Sequence, residues 1–448
     1  MIGRWAAMAL VAGLLAQSGK TATDSETAVA QFARLRDQAA AQTKAGDKQA
    51  RLKTMLAMQL MLPGSPSAAE AVAAAYAAVG DNEHALKELG QFAEMGQADD
   101  RVLDGADTHF TALHETPEYK AIVARMAANK STKNRSETAF VLSDAGLLAE
   151  DIDYDPGAKS FLLTSVLEKK IVRVTMDGKA TEFARSPSGW PMMALKVDAR
   201  RGVVWATEVA VNGFTAVAKA DWGRSAVLCY DLKSGKLLRR IDGGKTALGD
   251  MTLAPEGDAI VSDGDGGGVY RVAGGELKLI NGTDFISPQT PTMLPGGEEV
   301  AVPDYVRGIG VLNLKSGRVR WVDGGGKTAL DGVDGAYFDR GALMLTQNGS
   351  SPERVVRVQL DKALSKVVGE DTIERATATL GDPTHGVVVD GWFYFIANSG
   401  WDKLDEHGEK LAGARLTPAR VMRYKLGPVN TYGMRGALVS ALTRQRPV

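Results

Sequence analysis

Glu150, Gln289, Asp334 and His385 occupy one register in a repeated pattern, and together they could bind a cation and move protons. The pattern is a strand, a tight turn and a second strand. It occurs six times, as YDPGAKSFLLTS, VDARRGVVWATE, LAPEGDAIVSD, MLPGGEEVAVPD, YFDRGALMLTQN and VVDGWFYFIANS. Counting six residues back from the turn positions Pro156, Ala199, Pro255, Pro295, Arg340 and Gly391 selects Glu150, Met193, Gly249, Gln289, Asp334 and His385. Two carboxylates and an imidazole that face one narrow space need a cation or water to offset their burial. Hard oxygen ligands of this kind suit calcium or magnesium, and an imidazole on the same arc also admits zinc or manganese. Asp334 is the candidate general base and ligand, with Glu150, Gln289 and His385 as the other candidate metal ligands.

The elements that must position these residues follow from the repeats. LKSGKLLRRIDGGKTAL at Leu232 and LKSGRVRWVDGGGKTAL at Leu314 are 314 − 232 = 82 residues apart, which spans two strand-turn-strand units. A unit of about 40 residues matches one four-stranded blade of a propeller, so six units predict a six-bladed β-propeller over residues 138–428. A β-sandwich is the alternative that six like units disfavour. Inner strands would line a central channel, with blades five, six and one adjacent. Asp334, His385 and Glu150 then form a contiguous polar arc, with Gln289 extending it. The second strands end in Ser165, Glu208, Asp263, Asp304, Asn348 and Asn398, which would rim the same mouth or close turns through their own side chains. The extra strand TAFVLS, Thr138 to Ser143, is expected to complete the last blade. The twice-occurring GGKTAL lacks the upstream glycine of a phosphate loop, because Arg239 and Trp321 stand there, so each copy reads as a connecting loop between blades.

Before the propeller, residues 24–130 are rich in alanine, with apolar residues at helical spacing, and predict a small α-helical domain. AAEAVAAAYAAVGDNEHALKELGQFAEMGQ reads as two helices around a Gly80-Asp81 turn and resembles a tetratricopeptide repeat, which implies a cap or a docking surface for a protein partner. A polar stretch from Asn129 to Glu137 reads as a linker. Residues 1–18 have the layout of a secretory signal peptide, with one cation followed by an apolar run too short to span a bilayer, and residues 429–448 form a C-terminal tail. Lys and Arg total 53 against 54 Asp and Glu, so nothing predicts attraction to nucleic acid. The single cysteine, Cys229, sits in a strand pattern as a small apolar group, and with no second cysteine there is no intramolecular disulfide; a periplasmic or secreted location is expected.

The blade phrases, with the EDIDYDP opening, SPQTPTMLPGGEEVAVPD, LDGVDGAYFDRGALMLTQNG and THGVVVDGWFYFIANSGWD, resemble the gluconolactonase, senescence-marker-protein and luciferin-regenerating-enzyme-like family of six-bladed propellers. The resemblance implies a divalent metal, often calcium, held in the channel by a glutamate, asparagines and an aspartate that also acts in lactone hydrolysis. Glu150 and Asp334 match that glutamate and aspartate. Gln289 stands where an asparagine is usual, and Gly249 removes a second one. Two readings stay open: a metal-dependent lactone or ester hydrolase acting on a small molecule in the channel, or a non-enzymatic ligand-binding or scaffolding protein. If the N-terminal run is a signal peptide, protein recovered from the host's periplasm should begin near Gln17 or Gly19 by intact-mass measurement; a retained Met1 overturns that expectation.

Overall fold

The structure is a computed structural model and describes residues 26–427. The expected signal peptide and the C-terminal tail lie outside them. Among the described residues six α-helices come first, Ala28–Ala45, Lys48–Met61, Pro66–Ala78, Asn82–Glu94, Asp100–Leu103 and Pro117–Asn129. Each starts where sequence chemistry asks it to: Thr27, Asp47, Ser65, Asp81, Asp99 and Thr116 are the N-caps, and each side-chain oxygen accepts a backbone N–H of the first turn. The Ala68 to Gln97 stretch is the expected helix pair, packed around Ala73, Ala85, Leu89 and Phe92. No helix among the described residues is long and apolar enough to cross a membrane.

Six antiparallel sheets then make a six-bladed propeller, spanning 149–185, 192–244, 248–281, 292–321, 335–375 and 386–425. The sixth blade has only three strands of its own, and the fourth is Glu137–Val141, paired with Arg420–Lys425 in the register Thr138↔Met422 and Phe140↔Val421. Phe140 fills the seam between blades six and one against Phe161, Tyr394 and Ile396. The stretch read as a linker is tied down as well: Lys133–Asn134 adds a fifth strand to blade five, and buried Asn129 donates to the carbonyls of Ala93 and Gln97. Cys229 is buried within blade two.

The repeated outer turns have a shared steric reason. Gly178, Gly235 and Gly317 all adopt positive φ, and a Cβ on them would meet the backbone carbonyl oxygen of Val141, Phe183 or Ile280 at 2.2, 2.0 and 2.6 Å. Each of those carbonyls belongs to the outer strand of the preceding blade. Glycine in LKSG-type turns therefore lets neighbouring blades close up. Both GGKTAL copies are connectors between an outer strand and the next inner one, and Ala329 of the second packs into the core of the helical domain.

The helices sit on the face of the propeller where inner strands begin. Phe32, Leu35, Met61 and Leu62 pack against Ile286 and Val306, and Ala98 and Ser351 join backbone to backbone at 2.7 Å. Ser65, already an N-cap, donates its hydroxyl to buried Asp331 at 2.7 Å. Burial raises the Asp331 carboxyl from its ordinary 3.8 to about 7, with the Ser65 bond pulling the other way. A carboxyl raised in the folded state binds its proton more tightly there, so its stabilising effect is complete below pH 4 and is lost as pH rises to 7. Asp331→Asn, which imitates the protonated form, should match the parent in thermal melts near pH 4 and exceed it above pH 7, by at most roughly 4 kcal/mol.

Candidate functional site at the channel mouth

Glu150, Asp334 and His385 come together as the shared register predicts. One potential ligand atom from each lies within 4.8 Å of the others, and all three residues are buried at the channel mouth. Glu150 stands at the start of the inner strand of blade one, and Asp334 and His385 directly precede those of blades five and six.

A carboxylate that the register does not select completes the group. Blades one, two and three share an irregularity in which two residues oppose one, Glu150 and Asp151, Met193 and Ala194, and Gly249 and Asp250, and in blade three the second of the pair, Asp250, turns inward. Asp250 Oδ1 accepts from Thr290 Oγ1 at 2.6 Å and lies 2.7 Å from His385 Nε2. The other ring nitrogen, Nδ1, lies 2.7 Å from the Glu150 carbonyl oxygen. Both neighbours only accept, so both nitrogens carry hydrogen and His385 is an imidazolium. Its electrostatics agree: burial pulls the pKa down, but Asp151, Asp250 and Asp334 outweigh it and hold the pKa well above its ordinary value. The register assigned Gly249 an empty place; the correction is a carboxylate one residue later.

Each remaining carboxylate is steered by one neighbour. Trp401 Nε1 donates to Glu150 Oε2 at 2.5 Å, and Asn348 Nδ2 donates to Asp334 Oδ2 at 2.9 Å while accepting from Tyr305 at 2.9 Å. This leaves Glu150 Oε1 and Asp334 Oδ1 with no hydrogen-bond partner among the described residues. Burial raises Asp334 to about 6, with His385 opposing, and drives Glu150 well above the usual carboxylate range. Asp151, just below, accepts from Leu195 N at 2.8 Å and Lys196 Nζ at 2.7 Å.

Gln289 Nε2 donates to the Ser287 carbonyl at 3.2 Å and lies 3.1 Å from the Ser287 hydroxyl, and Met193 packs with Trp190 and Phe214. Of the second-strand ends, Asp263, Asp304 and Asn398 accept backbone N–H groups and Glu208 is held by Ser186, Ser188 and Arg240. Asn348 alone of these residues is bonded to a member of the group.

The mouth is roofed from two sides. Helices cover the loops of blades four and five. On the opposite side, residues 211–223 of blade two and 397–419 of blade six meet: Thr215 N donates to His407 O at 3.0 Å, and Phe214, Val217, Trp401 and Leu404 share one apolar cluster. Trp401 thus carries the roof's contact to Glu150. It lies in a loop with no repeat, so only an unplaced aromatic beside SGWD marked it in the sequence.

As to a metal, the two unengaged carboxylate oxygens fit a hard cation, and this buried Glu, Asp and His group could bind one. His385 could ligate only by giving up Asp250 or the Glu150 carbonyl.

The sequence matches no family model and no curated protein. Among solved structures, the chain is similar to a gluconolactonase from Xanthomonas campestris (13% identity, 67% of this chain and 93% of that one, TM-score 0.44). It is similar also to a luciferin-regenerating enzyme (13%, 66% and 94%, TM-score 0.45) and to an aldose sugar dehydrogenase from Streptomyces coelicolor in its PQQ-bound form (13%, 66% and 98%, TM-score 0.47). Identities this low leave the chemistry of the channel to be read from its own residues.

The bulge can be checked by mutation. Asp250→Ala removes the carboxylate beside a buried imidazolium and should cost about 3–5 kcal/mol in denaturant unfolding. Gly249→Ala should stay within about 1 kcal/mol, because the added Cβ meets its nearest neighbour at an ordinary 3.8 Å. The reverse order would restore Gly249 as the inward residue.

Proposed function

We propose that the channel mouth hydrolyses a small lactone or ester with the help of a divalent cation, calcium first. The observation that supports this reading is the convergence of Glu150 and Asp334, each with one carboxylate oxygen steered by a neighbour and the other open to the channel. A cation held by these two oxygens would supply Lewis acidity toward the ester carbonyl. Asp334 Oδ1 accepts a proton from the attacking water, a C–O bond forms to the carbonyl carbon, and the ring C–O bond breaks. The proton then passes from Asp334 to the departing alkoxide, so Asp334 ends as it began. Asn348 keeps the other oxygen of Asp334 occupied and so fixes which one faces the substrate. The imidazolium of His385, fixed by Asp250, offsets the negative charge that builds up during attack. The roof limits the water that reaches the group.

A second reading, a ligand-holding protein without turnover, draws support from His385, whose two nitrogens are both already bonded within the protein. Calorimetric titration of chelator-treated protein with calcium, zinc and manganese, followed by a sugar-lactone hydrolysis assay, separates the two. The hydrolase reading expects calcium to bind at millimolar concentration or tighter and to support turnover that Asp334→Ala lowers by about a hundredfold or more. Binding without turnover leaves the ligand-holding reading. No binding of any of the three metals, with lactone hydrolysis at the uncatalysed rate, rejects the hydrolase.

A further inference from the structure

Three residues further along the inner strands, roughly 10 Å toward the opposite mouth at about 3.3 Å per residue, the channel opens into a cavity of about 190 Å³. Every blade contributes to it: Asp153, Lys196, Thr252, Thr292, Tyr337 and Val387 stand in blades one to six in turn. None of these belongs to the group at the mouth. We propose that this cavity is a second binding site, for a small neutral polyhydroxylated ligand.

The hydrogen-bond inventory of the wall carries the proposal. The Thr252 hydroxyl makes no hydrogen bond among the described residues, so it can both donate and accept. The Tyr337 oxygen accepts from Gly386 N at 2.7 Å, and the Thr292 oxygen accepts from Phe338 N at 3.1 Å, which in each case leaves the hydroxyl hydrogen for another acceptor. Lys196 Nζ is bonded to Asp151 and to the Leu195 carbonyl, and its third hydrogen remains. Facing these donors, the Asp153 carboxylate accepts Val197 N at 2.7 Å and Tyr154 N at 2.8 Å and keeps lone pairs for a hydroxyl. Blades two to five therefore each offer a hydrogen to a ligand and blade one offers a carboxylate acceptor, while Phe338, Pro291 and Val387 supply apolar patches for C–H faces.

Charge narrows the class of ligand. One ammonium, Lys196, stands against two carboxylates, Asp151 and Asp153, so no positive charge is left over to hold an anion. A cationic ligand would in turn meet an ammonium already seated against Asp151. A neutral ligand with several hydroxyls satisfies both kinds of wall group without adding charge, and the volume limits it to a few carbons, from glycerol to a single sugar ring.

The test uses the full chain and ligand-observed NMR or calorimetry with glycerol, erythritol, glucose, acetate and lactate as probes. The neutral polyols should bind in the millimolar range and the carboxylates at least tenfold more weakly. Thr252→Val, which removes a hydroxyl with no partner in the fold, should weaken polyol binding severalfold, and Thr252→Phe should block it by filling the cavity. If the phenylalanine variant fails to fold, the valine variant carries the test. Asp334→Asn should leave polyol binding unchanged, which keeps the result separate from that for the hydrolase. Absence of polyol binding at tens of millimolar, preference for the carboxylates, Thr252→Val binding as well as the parent, or loss of binding in Asp334→Asn would each overturn the proposal.

Discussion

Removing a carboxylate from water costs several kcal/mol unless a partner returns what hydration gave, and the upper channel buries four of them. Glu150, Asp151, Asp250 and Asp334 are set against only two cationic side chains, His385 and Lys196. The arrangement of the mouth answers that imbalance. Lys196 pairs with Asp151, the imidazolium pairs with Asp250, and Glu150 and Asp334 are left with neutral donors, Trp401 and Asn348. Charge-assisted bonds of that kind are worth about 1.5–3 kcal/mol each, enough to hold a carboxylate in place and too little to neutralise it. Burial therefore raises the pKa of both, and a cation between them would relieve the cost of charging them.

The same constraint links the mouth to elements far from it in sequence. Trp401 reaches Glu150 only because its loop is pinned to residues 211–223 by backbone bonds and by an apolar cluster. Tyr305, which orients Asn348, directly precedes Val306, one of the residues on which the helices rest. Geometry at the two carboxylates thus depends on a loop pair at one side and on the helical domain at the other.

How far the sequence led can be traced residue by residue. The hydrophobic and turn pattern made the six blades, the completing strand and the helix pair legible, because each is a local signal repeated at fixed spacing. Glu150, Asp334 and His385 were legible because one register count runs through all blades. The count missed Asp250, because a bulge shared by blades one to three sets two residues opposite one and the count selects only the first of each pair. Gln289 met the count too, and Ser287, two residues away, holds its amide nitrogen. Trp401 was hidden because a long unrepeated loop has no register, whereas Asn348 was placed at the rim but could not be told from an asparagine that closes a turn at a strand end.

The strand Glu137–Val141 follows the helix Pro117–Asn129 almost directly, yet its partner is the last strand of the propeller. In a chain made from its N terminus, this segment must remain unpaired until blade six has emerged, while the helices beside it already have a core of their own. Its carbonyl at Val141 is also the surface that Gly178 of blade one abuts, so blade one lacks its neighbour on the blade-six side until the same moment. Closure of the ring is therefore the last pairing to form, and a chain in which Arg420–Lys425 has joined blade six but has not yet met Glu137–Val141 carries both an open sheet edge and a free strand that fits it, which is the arrangement from which two copies can exchange strands.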